Sequence, residues 1–154
     1  MVSGYTSMPG SCTTPGHGSN AQLTGAAATG ALSFTNAAGA AVTCGAPGES
    51  ITVTLSDTQT FKGFLVTATG AASGSLEACG DGGALSTCAS AVKTNCGSGK
   101  VGVGHRSNHC SGGICSFTSP VSFLLTLPAS GTVSVSAVLV HGAFKRWNSV
   151  PDAS

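Results

Sequence analysis

The chain has 154 residues, enough for one domain with a real core, and only 7% of them are charged against a typical ~25%. A net charge of +1 and 5% aromatics exclude the basic stripe or stacking platform that nucleic-acid binding requires. No apolar run approaches the ~20 residues of a membrane span, and Met1-Val2-Ser3-Gly4 lacks the basic start and apolar segment of a secretory leader, so an exported protein is read here as its mature chain or a fragment.

With so little charge, the surface must be made of Gly, Ala, Ser, Thr and Asn. Such a surface repels its neighbours weakly, because mutual repulsion rests on charge. It suits a secreted protein that carries sugar or packs against copies of itself. Seven cysteines in a chain this short point to an oxidising compartment, and an odd number leaves at least one thiol free or bridged elsewhere.

Residues 1–20 are Gly, Ser, Pro and Thr without periodicity and read as an irregular lead-in with Cys12 as its fastener. Two short strands are predicted around Leu23 and at Leu32-Ser33-Phe34, followed by a turn over Asn36–Ala40. Ile51, Val53 and Leu55 alternate with Thr52, Thr54 and Ser56, the pattern of a half-buried strand. Asp57-Thr58-Gln59 then turns the chain into Phe61–Thr69, whose aromatic and β-branched residues predict a buried central strand.

Gly70–Gly99 reads as a long Gly-rich connection holding Cys79, Cys88 and Cys96, and loops of that length are usually functional or stapled. Lys100–His105 predicts a short strand. Beyond a second Cys/Gly-rich loop, Val121, Phe123, Leu125 and Leu127 line one strand face that Pro128 closes. Ala129-Ser130-Gly131 turns into the alternation of Val133, Val135, Ala137 and Leu139, and Phe144–Ser154 reads as a tail. About seven short strands separated by turn signals predict a single all-β domain, an antiparallel β-sandwich.

The order of several motifs resembles the reeler domain family, the N-terminal-type module of reelin and F-spondin. Gly4-Tyr5, Cys12 and Pro15-Gly16-His17-Gly18 are similar to its opening, and Phe61-Lys62-Gly63-Phe64 with Ala68 to its core strand. Pro47-Gly48 before Ile51–Leu55, Cys96 before Val101–His105, and Val121–Pro128 before Gly131–Val135 extend the likeness over nearly the whole chain. The resemblance implies an immunoglobulin-like sandwich, an extracellular setting, and roles in adhesion, matrix or pathogen-surface binding. It supplies no catalytic residue. The Ala/Gly-rich composition and the insertions at Cys79–Cys88 and Cys110–Cys115 depart from the family pattern.

That pattern implies a Cys12–Cys96 bridge, which would contribute about 4–5 kcal/mol by restricting the unfolded chain. Cys110–Cys115 and Cys79–Cys88 are the economical remaining pairs, although spacing alone does not decide connectivity. Cys44 is left over. One reading packs it as a small hydrophobe in a strand, buried and unreactive; the other makes it an interchain bridge.

His105, His109, Cys110 and Cys115 are zinc-competent residue types, but their spacing matches no zinc signature and oxidised cysteines cannot ligate, so no metal or other cofactor is assigned. The five acids form no convincing acid/base pair, and neither a nucleophile elbow nor a dinucleotide fingerprint occurs. An enzyme is not expected. No Asn-x-Ser/Thr acceptor exists, while Ser3–Ser19 leaves O-glycosylation open.

Two functions fit. The first is a secreted structural module that associates with copies of itself in a matrix or filament, its N-terminal segment lent to a neighbour's sheet edge. The alternative is an extracellular recognition domain for a glycan, lipopolysaccharide, matrix protein or receptor. Lys93, Lys100, Arg106, His141 and Trp147 are its candidate ligand contacts.

Overall fold

The computed structural model describes residues 21–22, 28–61, 63–70, 76–77, 91–95, 100–105, 119–141 and 146–150. These residues form ten strands and no helix. They are β1 (Ala21–Gln22), β2 (Ala31–Thr35), β3 (Ser50–Ser56), β4 (Gly63–Thr69), β5 (Leu76–Glu77), β6 (Ala91–Asn95), β7 (Lys100–His105), β8 (Val121–Thr126), β9 (Ser134–His141) and β10 (Arg146–Val150). Six of them make a sheet in the order β1-β10-β9-β4-β7-β6, and four make a second sheet in the order β2-β3-β8-β5. Every pairing is antiparallel except β1 with β10.

Alternation explains the four-stranded sheet. Ile51, Val53 and Leu55 of β3 and Val121, Phe123 and Leu125 of β8 are buried, while the residues between them are half-exposed. The register places Val53 opposite Phe123 and Thr54 opposite Ser122, so each face is uniform across the two strands. On the outer face Thr54 and Ser122 share a hydrogen bond of 3.3 Å.

The core joins both sheets. Phe64, Val66, Val101, Val103, Val135 and Leu139 from one meet Leu32, Val53, Leu55, Phe123 and Leu125 from the other. The Phe64 ring lies 5.5 Å from Phe123 and 6.2 Å from Phe61, edge-on in both cases. Strict alternation would send Phe61 and Phe64 to opposite faces. Both reach one core because β4 begins at Gly63 and Phe61 stands apart from it in an isolated bridge, so the two rings do not alternate along one regular strand.

Three strands lie where the sequence suggested none. The connection Gly70–Gly99 contains β5 and β6, and β6 pairs with β7 along its full length. The stretch read as a tail supplies β10, which covers the flank of β9 and sends Val150 into the core. Main-chain bonding to a preformed neighbour holds such strands even where side-chain alternation is poor.

Candidate functional site

Strand directions give the two-sheet stack two distinct ends. At one end β3 finishes, β2 and β8 begin and β9 finishes, and there the chain builds a polar clasp around Asp57. Its Oδ1 accepts hydrogen bonds from Thr29 Oγ1 and from the Gln59 N–H, both at 2.9 Å. The Asp57 N–H donates to Ser119 Oγ at 2.8 Å. The Asp57 side chain is 0% exposed, and its Oδ2 lies 3.6 Å from His141 Nε2, a close approach that is longer than a hydrogen bond. His141 is 5% exposed. Asp57 thus reaches the entry to β2 and the β3–β4 turn through its carboxylate and the entry to β8 through its backbone amide, with the end of β9 close by. Because β3 and β9 belong to different sheets, the clasp ties the sheets together.

The opposite end carries a cleft of about 380 Å³. Ile51, Leu125 and Val135 form its floor, Phe34, Val42 and Leu127 its sides, and the β8–β9 turn its far wall. None of its described lining residues is charged. The loop on the near side is held by four hydrogen bonds: Gly48 N–H to Leu127 O, Leu127 N–H to Glu49 O, Glu49 N–H to Ala46 O, and Ala46 N–H to Glu49 Oε2. Cys44 stands on this lip.

Cys44 is exposed, unbridged and outside any strand. This corrects the expectation of a buried, inert thiol: the strand that might have enclosed it ends with the Thr35–Ala41 bridge, and the chain then runs over the surface. His141 also needs revision as a ligand contact, since it faces the clasp and not solvent. Lys93 is the register partner of Val103, whereas Lys100 opens β7 opposite Thr69. Their levels differ by three residues along β7, an odd step that places the two positions on opposite faces of the sheet.

Trp147 pairs through its backbone with Val140. Arg106 and the cysteines Cys12, Cys79, Cys88, Cys96, Cys110 and Cys115 lie outside the described residues, so the predicted bridges do too. Sequence reasoning treated Asp57 as a turn residue and missed the clasp. Its only signal was a lone acid closing an alternating strand.

The Reeler domain profile matches residues 10–152. The chain belongs to the reeler family. The fold of this reeler domain is similar to the human F-spondin reeler domain, at 17% identity and a TM-score of 0.54, covering 85% of this chain and 86% of that one. It is also similar to the Reelin-N domain of F-spondin, at 14% identity and a TM-score of 0.50, covering 88% and 93%. At these identities the likeness is one of fold. No curated protein matches the chain.

Proposed function

We propose that this reeler domain is a secreted, non-enzymatic structural module, an immunoglobulin-like sandwich with disulfide-stapled loops that associates with copies of itself in an extracellular assembly. The supporting observation is Cys44, an exposed and unbridged thiol in a loop whose single acid, Glu49, is half-buried and bonded to the Ala46 N–H. Among residues whose side chains are described, none of the exposed ones is Asp, Glu, Lys or Arg. Nothing there opposes the approach of a second copy by repulsion.

The mass under native, non-reducing conditions tests this reading. Multiples of the 14.8 kDa chain are expected for the wild type, with the covalent fraction lost on reduction and absent in Cys44→Ser. A single chain at every concentration would defeat it. Removing residues 1–11 separates the modes of assembly: loss of multiples implicates the N-terminal segment as a lent strand, and their survival leaves the thiol surface as the contact.

A further inference from the structure

The cleft at the Cys44 end has features that neither the family nor self-association requires. Its volume of about 380 Å³ lies within the ~300–1,000 Å³ of small-molecule sites. Protein interiors seldom leave apolar space unfilled, and this cleft opens directly onto the core residues Ile51, Leu125 and Val135.

Its walls are fixed. On the near side Gly45 packs so closely that a Cβ there would stand 2.7 Å from Leu127 Cδ1, and the hydrogen bonds of residues 46–49 hold that loop to Leu127. On the far side Gly70, with φ +84°, lets the Thr132 carbonyl approach where no Cβ would fit. That contact pins the β8–β9 turn against the end of β4. The opening is therefore pre-formed.

We propose that this cleft binds a single unbranched alkyl chain of an amphiphile, inserted between the two sheets with its headgroup outside. The lining selects that occupant. The cleft's described lining offers no charge to an ionic group, and the hydroxyl residues there, Thr43, Ser130, Thr132 and Ser134, are exposed. A sugar would leave most of its hydroxyls unpaired against the apolar floor. Among the described residues of a second copy, no exposed side chain is Leu, Ile, Val, Phe or Met. The inference is independent of self-assembly: Cys44→Ser, which cannot form a covalent pair through that thiol, retains the cleft.

Titration calorimetry with a saturated fatty-acid series from octanoate upward, below the aggregation point of each acid, tests the proposal. Affinity is expected to rise about fourfold per added methylene and then level off once the cleft is full. Bound acid should slow alkylation of Cys44 by iodoacetamide, read by peptide mass. Val42→Trp and Val133→Trp, each checked for folding by circular dichroism, place bulk in the cleft and should weaken binding at least about tenfold.

Lack of saturable binding overturns the proposal, as does affinity indifferent to chain length. So does unchanged binding in whichever tryptophan variant folds. Should neither variant fold, failure of bound acid to protect Cys44 overturns it. The alkylation is run at one dilute protein concentration with and without acid, so that association through Cys44 does not mimic the protection. Binding of the acids by Cys44→Ser, even where the wild type proves to be a single chain, keeps this result separate from the assembly reading.

Discussion

Phe64 is the residue on which the two sheets meet, since its ring contacts Phe61 beside it and Phe123 across the core. Phe64→Ala should lower unfolding stability by about 3–5 kcal/mol, read from the urea midpoint, because dense packing on both sides prevents collapse of the cavity. Asp57 acts by a different principle. Replacing it with Ala removes a part-buried bond from the Thr29 hydroxyl and an exposed one from the Gln59 amide, for an expected loss of about 1–3 kcal/mol. Thr29→Val removes only one donor and should cost less, so equal losses from the two variants would contradict the clasp. The aromatic pair was legible in the sequence because large apolar residues in a β-branched run have few places to go but the core. The clasp was not, because a lone Asp after a strand is most often a turn residue, and only the fold brings Thr29, Ser119 and His141 to it.

At the scale of elements, the hairpin after β2 controls an exposed sheet edge. β2 carries neither charge nor proline, the usual protections of an edge strand. Instead Asn36 turns the chain back: its Oδ1 accepts from the amides of Ala38 and Ala40, and the Val42 N–H then donates to Phe34 O. Asn36→Ala should cost about 1 kcal/mol and selectively speed hydrogen exchange at the Val42 amide, with little change at β3 or β8. Uniformly faster exchange would mean that the turn supports the whole fold and not one edge. Strands β3 and β8 were legible because each has one face in the core and so alternates, and β9 was legible from the same pattern in its first half, before both its faces become buried. Strands β6 and β10 were not, for β6 is a sheet edge held along β7, and β10 follows a stretch whose basic and aromatic residues resemble a tail.

For the molecule as a whole, scarcity of charge is the governing property. Association between such surfaces should be nearly insensitive to ionic strength, since little Coulomb energy is available to screen. Light scattering from about 0.01 to 1 M salt should show the same mass distribution, and dissociation at high salt would instead reveal a charged contact. Composition and periodicity were sufficient for the all-β class and the buried strand at Phe61–Thr69, because burial pattern is a local property of each strand, while the family likeness lay in the order of short motifs. The sequence also left Cys44 as the odd thiol, but whether that thiol is buried or exposed depends on where β2 ends and how the chain turns back. Only the tertiary structure put the clasp at one end of the stack and the apolar cleft at the other. Each is assembled from segments far apart in the chain, and their meeting follows from strand order and register, which no local pattern encodes.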